Sequence, residues 1–385
     1  MDGILGKLEQ VAGAALFAAV LLDVFLTVLY ARMGTTLLTG PLARLTWRAA
    51  RAASAPFGRH RGVILSFCGP VVLVLLVTAW SAGLTLGAAL VIHPALGDGV
   101  RSSAGGPTPT DFVAAVYAAG NSLSVVGSGE FGPRTTPYRL LYWFNSVVGM
   151  SVLSLTLTYL MQVYSALRER NVLGLRLHLA TGETGDAAEL LARVGPRGEF
   201  DTGLLSEAAA GVAAAKEGHH FYPVLFYFRF DTPVYAVSRV CLVALDAVTL
   251  IRTALADRYA TLRESAAVEQ LERAAMKLLE ALDRSFLGVT MPDPPAAPDA
   301  EARARWDGRY RSAVRRLREA GIETAADEAA GAERYAALRA RWDRYVAALA
   351  PAMAYDMAEI DPACADHEPA GRRLAIPARV VPQEV

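Results

Sequence analysis

Residues 125–133, VVGSGEFGP, decide the fold of this chain, with glycine at positions 127, 129 and 132. The spacing reads G-x-G-x-x-G, the pattern of a dinucleotide-binding turn. That turn requires a helix opening at the last glycine and an acidic residue about 20 positions further on. Here Pro133 follows directly, and position 149 is glycine. The alternative is a loop that exposes its backbone carbonyls, and the flanking segments favour it.

Three long apolar segments flank this loop. Residues 11–30 carry one charge, Asp23, whereas residues 63–92 and 140–160 carry none. About 20 helical residues cross the hydrocarbon core of a membrane, so each segment is predicted to be a transmembrane helix. Residues 11–30 lack the basic leader and small-residue cleavage site of a secretory signal, which indicates a retained helix.

The charges divide the chain into two parts. Residues 1–170 contain 12 Lys and Arg against 7 Asp and Glu, whereas the remainder contains 26 against 31. This split is typical of a membrane-embedded first part and a soluble second part. The segment between the first two apolar segments contains six arginines and no acid, so the positive-inside rule predicts that it is cytoplasmic. The sequence therefore predicts a plasma-membrane protein with its N-terminus outside and its C-terminus in the cytoplasm. Residues 42–57 within that segment predict a basic helix on the inner membrane surface.

A shorter apolar segment, residues 111–123, precedes the glycine-rich loop. As a helix it would be about 20 Å long, too short to cross the bilayer, and Thr110 or Asp111 could cap its start. Non-helical backbone is tolerated at membrane depth where it is buried in protein or lines water. A half-length helix and a glycine loop between two full spans therefore predict a re-entrant pore loop.

Residues 124–130, SVVGSGE, resemble the TTVGYGD signature of potassium-channel pore domains. The resemblance covers residues 63 to about 170 and implies a homotetrameric cation channel whose filter carbonyls replace the water around K⁺. It places Glu130 at the outer mouth. By position, it assigns the selectivity filter to Ser124, Val125, Val126, Gly127, Ser128 and Gly129, with K⁺ at the carbonyls of Val125, Val126, Gly127 and Ser128. The glycines are expected to supply backbone conformations closed to other residues.

Two positions depart from the family signature. Val125 stands where the family has a threonine, so the innermost hydroxyl is absent. Ser128 stands where the family has a tyrosine, so the aromatic brace of the filter is missing. These changes predict weak discrimination of K⁺ from Na⁺. The alternative is a non-conducting, membrane-anchored sensor or scaffold with a degenerate pore loop.

The third apolar segment carries a polar stripe. The residues of this stripe recur at steps of three and four and share one helix face: Ser151, Ser154, Thr158 and Gln162. They predict the lining of a water-filled cavity, with helix packing as the alternative. Gly149 stands where similar channels place a hinge in the inner helix, and close packing against the short helix explains it as well.

Asp23 is the charged residue inside the first apolar segment. A carboxylate at this depth is costly and indicates a function or a specific partner. A hydrogen bond to Thr27 or to the second apolar segment would satisfy it. Coupling to the pore, or sensing of protons or voltage, is the alternative.

The chain from residue 171 onward is predicted to be mainly helical and cytoplasmic. Periodicity predicts helices over 186–194, 204–217, 233–263, 268–286, 300–320 and 325–348. Residues 240–251 are strongly apolar, but charges at 239, 246 and 252 favour a buried helix over a fourth span. The aromatic stretch 219–233 fits a core, a pocket or a membrane-facing surface.

The predicted fold is an all-α membrane protein with three transmembrane helices, a re-entrant pore helix and a helical cytoplasmic part. The domains are residues 1–62, a pore domain at 63–170, cytoplasmic helices at 171–287, a Pro-rich linker at 288–299, a helical hairpin at 300–350 and a loose tail at 351–385. The three cysteines lie too far apart for a zinc site or a disulfide framework. We therefore predict no catalytic residues, no cofactor and no nucleic-acid partner. The predicted partners are further copies of the chain and membrane lipids, and a cytoplasmic ligand is left open.

Overall fold

The computed structural model describes residues 3–30, 36–103, 105–124, 127, 129–287 and 299–365. The chain forms two compact units. Unit 1 contains Met1–Glu169 and Glu217–Asp231, and unit 2 contains Arg170–Lys216 and Thr232–Val385.

Unit 1 is built on long helices, as the sequence predicts. Its helices are α1 (Gly3–Val24, continued by a π-helical turn over Phe25–Leu29), α2 (Thr39–Ser54), α3 (Arg61–Ser66), α4 (Cys68–Ile92), α5 (Phe112–Leu123) and α6 (Thr136–Ala180). Short 3₁₀ turns cover Ala55–His60 and His93–Ala95. Two three-residue strands, β1 (Val100–Ser102) and β2 (Phe131–Pro133), pair antiparallel.

Three apolar helical segments are long enough to cross a membrane, which confirms the predicted spans. They cover Gly3–Leu29, Arg61–Ala95 and Thr136–Ala180. The second and third extend beyond the predicted apolar segment at both ends, whereas the first begins earlier than predicted and ends at Leu29. The third span continues without interruption into unit 2.

The first two spans pack closely through glycines. A Cβ on Gly13 would lie 2.6 Å from the carbonyl oxygen of Gly87, and a Cβ on Gly83 would lie 2.7 Å from Val20. Side chains at these glycines would force the helices apart. Small residues at such contacts are the usual means by which membrane helices approach each other, so α1 is an integral part of unit 1.

The aromatic stretch packs within unit 1. Residues 224–228 are buried, and the ring of Phe228 covers Gly69 near the start of α4. The Tyr227 ring lies 6.0 Å from that of Trp47 in α2. Burial raises the pKa of Tyr227 to about 12. Of the three interpretations of this stretch, the structure therefore selects a core, and that core is formed against the membrane helices.

Unit 2 contains the shorter helices. They are α7 (Ala187–Val194), α8 (Gly203–Phe221, shared with unit 1), α9 (Val237–Thr253), α10 (Ala260–Arg263), α11 (Ala266–Leu282), α12 (Ala300–Glu319), α13 (Glu328–Ala340), α14 (Asp343–Ala352), α15 (Met357–Ile360) and α16 (Pro362–Ala365). The helix predicted over 233–263 is interrupted, and the one predicted over 325–348 divides into α13 and α14.

Helix α9 lies at the centre of unit 2, and nearly all of its residues are buried. Its Asp246 accepts hydrogen bonds from Arg309 at 2.8 Å, Arg339 at 3.3 Å and the Tyr335 hydroxyl at 2.5 Å. This arrangement explains why an apolar helix carries a carboxylate. The prediction of a buried bundle helix is confirmed.

The C-terminal boundaries differ from the prediction. Helices α12 and α13 pack on α7 and α9, so the predicted hairpin at 300–350 is part of the same core as the preceding helices. The predicted loose tail forms α15 and α16 over its first residues, and Ile360 and Cys364 are buried there. The aperiodic sequence concealed these two short helices. Residues 366–385 and the Pro-rich linker before Asp299 lie outside the described residues.

Candidate ion pathway

Helix α5 is capped and packed so that it ends at the glycine-rich loop. The Ala114 amide donates to Asp111 Oδ1 at 3.0 Å, which identifies Asp111 as the N-cap. The buried face of α5 packs on α4 and consists of small residues, Ala114, Ala115, Ala118, Ala119 and Ser122. Because these side chains are short, α5 lies close to α4.

The last turn of α5 is bonded to the third span, α6. Asn145 Nδ2 donates to Ser122 Oγ at 2.9 Å, and Ser146 Oγ donates to the Ser122 carbonyl at 3.0 Å. A Cβ on Gly149 would collide with the carbonyl oxygen of Leu123. These contacts determine where α5 ends and the loop begins. No local sequence pattern predicts these contacts, although Asn145 is a polar residue within an apolar segment.

Gly149 therefore has a structural role as a close-packing site, which was one of its two interpretations. Helix α6 runs through it without a break from Thr136 to Ala180. Its role as a hinge stays a prediction.

The loop after α5 contains the predicted filter. Val125, Val126 and Ser128 lie outside the described residues, whereas Ser124, Gly127, Gly129 and Glu130 are described. Gly127 and Gly129 have positive φ values of 46° and 68°, as expected for glycines that turn a loop. The Gly127 amide donates to Ser124 Oγ at 3.1 Å. A Cβ on Gly129 would meet nothing within 4 Å, so backbone conformation explains the glycine there and space does not.

A short ladder holds the far end of the loop. Strands β1 and β2 pair Val100 with Pro133 and Ser102 with Phe131. The Ser103 amide donates to the carbonyl oxygen of Glu130 at 2.8 Å. Three-residue strands leave no alternating pattern in a sequence, which is why the ladder was not predicted. It fixes the backbone directly after the filter, at the predicted outer mouth.

An aromatic contact connects this ladder to α5. The ring of Phe131 lies 6.0 Å from that of Tyr117 at an interplanar angle of 72°. This edge-to-face geometry is favourable for aromatic pairs. The loop has Ser128 where the family signature has a tyrosine. An aromatic ring occurs three residues later, at Phe131, where it packs against α5.

The polar stripe of α6 is exposed in this chain. Its four residues, Ser151, Ser154, Thr158 and Gln162, are exposed, whereas Val148, Thr156, Tyr159 and Val163 on another face of the helix are buried. Thr158 Oγ1 donates to the Ser154 carbonyl at 3.0 Å. Packing within this chain therefore leaves the polar stripe exposed. An exposed apolar stripe, Leu153, Leu157 and Met161, runs beside it.

A cavity of about 290 Å³ lies between α4, α5 and α6, beside Ser124. Its lining contains hydroxyl and apolar groups and no charged side chain: Val77, Ser81, Leu84, Thr85, Gly120, Leu123, Ser124, Gly149, Val152, Leu153 and Thr156. The described residues also contain no cluster of His, Cys, Asp or Glu that would hold a metal ion.

Comparison with known proteins agrees with this architecture. Residues 71–166 match the family described as "Ion channel", whose members have two helices and a pore loop. These residues include most of α4, all of α5 and the loop, and α6 as far as its polar stripe. This segment of the chain is therefore similar to the two-helix pore-loop ion channels.

A relative from Bacillus subtilis (strain 168), "Uncharacterized membrane protein YdjJ", is 23% identical over 250 residues. The match covers 65% of this chain and 71% of the relative, so it extends well beyond the pore domain. No solved structure gives a significant match.

Proposed function

We propose that the chain forms a homotetrameric cation channel that conducts K⁺, and Na⁺ to a lesser degree, through the SVVGSGE loop. One observation carries the proposal. A half-length helix between two membrane spans ends at a loop whose glycines adopt positive φ, and its last turn is bonded to the third span. Non-helical backbone at membrane depth is tolerated where it is buried in protein or lines water, and a loop that lines water would provide an ion path.

The electrostatics of this arrangement favour cations. The carbonyl end of α5 precedes the loop, and the C-terminus of a helix carries about half a negative charge. Glu130 follows the loop and adds a carboxylate at its other end. Within the loop, carbonyl oxygens of Val125, Val126, Gly127 and Ser128 would coordinate the ion, as they do in channels of this type.

Several copies are needed because one chain supplies only one loop. In a single subunit the polar stripe of α6 and the neighbouring apolar stripe are both exposed. Around a fourfold axis the polar stripes would line a common cavity, while the apolar stripes would meet lipid or the adjacent copy. The chain would lie in the cell membrane with its arginine-rich segment in the cytoplasm, according to the positive-inside rule.

Weak selectivity follows from the two altered filter positions. Val125 removes a hydroxyl from the inner ion site, and Ser128 removes the ring that stiffens the filter. The contact between Phe131 and Tyr117 lies after the filter positions in the sequence and restrains the backbone that follows Gly129. We therefore expect K⁺ to permeate better than Na⁺ by a smaller margin than in channels with the full signature.

Ion flux in liposomes tests the proposal. Purified protein should carry K⁺ and, more slowly, Na⁺, and Gly127→Asp should abolish both because an L-residue at this φ distorts the loop and adds a charge. Gly105→Asp is the matched control, since Gly105 also has positive φ, lies between the second and third spans and has open space around it. It should leave flux unchanged.

Two results would contradict the proposal. If wild-type protein passed neither ion while Gly127→Asp changed nothing, a membrane-anchored scaffold would fit better. A monomer in a stoichiometry measurement in mild detergent would also exclude a shared axial path.

A further inference from the structure

Helix α2 displays three arginines along one face. Arg44, Arg48 and Arg51 are spaced i, i+4 and i+7, which places them on one side of a helix. Arg44 and Arg48 are exposed and Arg51 is half-buried. The sequence contains no acidic residue between Asp23 and Asp98, and no described residue forms an ion pair with these arginines. This arginine face is a concentration of positive charge with no ion-pair partner among the described residues.

The arginine face is separate from the face that packs on the protein. Thr39, Ala43, Trp47 and Ser54 are buried, and Trp47 contacts the ring of Tyr227. The exposed surface next to the arginines is apolar, with Leu45 66% exposed and Leu38 43% exposed. The helix therefore presents an apolar strip and a basic strip side by side, which is typical of helices that meet a lipid interface.

The ends of α2 determine where it lies relative to the spans. Asp23, inside the first span, accepts from the amides of Leu37 and Leu38 at 2.7 and 2.8 Å. Its other oxygen accepts from Thr39 Oγ1 and Trp80 Nε1, each at 2.9 Å. The first turn of α2 is thus held at the level of Trp80, within the second span.

The other end of α2 leads through a 3₁₀ turn to Arg61, where the second span begins. Helix α2 therefore packs on α4 between these two points of the second span. Its placement at the inner membrane surface stays a prediction.

We propose that the arginine face of α2 binds the phosphate groups of anionic phospholipids. Guanidinium groups bind phosphate with paired, charge-assisted hydrogen bonds. Basic residues next to a membrane span are attracted to anionic lipid surfaces, and the exposed leucines beside them would contact acyl chains. This lipid site does not depend on ion conduction.

Contacts inside unit 1 connect the lipid site to the third span. Asp23 joins the start of α2 to Trp80, and the Trp80 ring lies 6.4 Å from that of Tyr159 in α6 in an edge-to-face arrangement. Lipid binding to α2 would therefore affect the position of α6, the proposed pore-lining helix. This second part rests on the proposed function.

Lipid retention measured by native mass spectrometry tests the site itself. Full-length protein in detergent is incubated with phosphatidylglycerol or phosphatidylcholine, and wild type should retain the anionic lipid preferentially. One arginine near an anionic surface strengthens binding by about fivefold. Each single Arg→Gln change in the arginine face should lower this preference by about that factor, and the triple change should lower it by up to about a hundredfold.

The matched control is Arg311→Gln, Arg315→Gln and Arg334→Gln, which removes three exposed positive charges from unit 2. It should retain the wild-type preference. Equal retention by the arginine-face triple variant and wild type would overturn the proposal. Release of the lipid by inorganic phosphate at a matched concentration would also overturn it, because the site would then be one for free phosphate.

Flux in liposomes of graded phosphatidylglycerol content tests the coupling. In wild type, flux should rise with the anionic fraction. Trp80→Phe removes the hydrogen bond to Asp23 but keeps an aromatic ring towards Tyr159, so it should retain lipid and lose this dependence. An unchanged dependence would refute the coupling. Absence of wild-type flux together with preferential lipid retention would refute the channel and leave the lipid site intact.

Discussion

Alanine substitutions at Gly120 and Gly149 are expected to have opposite effects on stability. Both glycines lie inside helices and neither has a positive φ. Each substitution therefore gains helix propensity, about 1 kcal/mol at an interior position. Their surroundings differ. A Cβ on Gly120 would meet Thr85 Cγ2 at 3.9 Å, an ordinary contact, whereas a Cβ on Gly149 would collide with the backbone of Leu123.

The magnitudes follow from these contacts. Gly120→Ala should raise the free energy of unfolding by up to about 1 kcal/mol, because its gain in helix propensity is not opposed by a clash. In Gly149→Ala the same gain is opposed by overpacking, which typically costs about 1–3 kcal/mol. The obstructing atoms belong to the backbone of α5 and cannot rotate away. The two variants should therefore differ by about 1–3 kcal/mol, with Gly149→Ala the less stable.

Thermal unfolding of the full-length protein in detergent, followed by tryptophan fluorescence, measures this order. If Gly149→Ala melted at or above the temperature of Gly120→Ala, the close packing of α5 on α6 would be refuted. Flux measurements on the same variants separate packing from a hinge. A hinge role predicts altered flux in Gly149→Ala without a loss of stability.

The remaining predictions concern unit 2. Asp246→Ala should lower the free energy of unfolding by about 3–5 kcal/mol, because it removes a buried carboxylate from two buried arginines. The control is Asp257→Ala, whose side chain is fully exposed and whose melting temperature should be unchanged. Equal melting temperatures of the two variants would contradict this prediction. The hydrogen bond from Arg316 lowers the pKa of Glu189, so the folded state binds fewer protons there than the unfolded state and stability should fall as the pH drops below about 4.5. Glu189→Gln should reduce that acid dependence in a melting series from pH 7 to pH 3, and an identical pH dependence in wild type and variant would count against the bond.

The membrane architecture was predictable because it rests on local properties of the chain. An uncharged apolar segment of 20 or more residues has few alternatives to a transmembrane helix. Asp111 was one of two candidate caps, and the structure selects it. The glycines of the loop indicated left-handed backbone, and Gly127 and Gly129 show it.

Other features depended on partners that are distant in sequence. Asp23 was expected to bond Thr27 or the second span, and its bond to Trp80 confirms the second alternative. Its bonds to the start of α2 were not predicted, and Thr27 pairs with Thr39 instead. The bond between Asn145 and Ser122 joins residues 23 positions apart. Each bond requires two side chains that lie far apart in the sequence, and no local sequence pattern predicts which two will meet.

The amino-acid sequence alone determined the number of spans, the half-length helix and the glycine turn, because hydrophobicity, length and backbone freedom belong to single segments. Only the tertiary structure decided what holds these segments in place: the glycine contacts between α1 and α4, the bonds from α5 to α6, the ladder after the loop and the course of α2. These features arise from shape and hydrogen-bond complementarity between surfaces that are distant along the chain. Such complementarity exists only once the helices have packed.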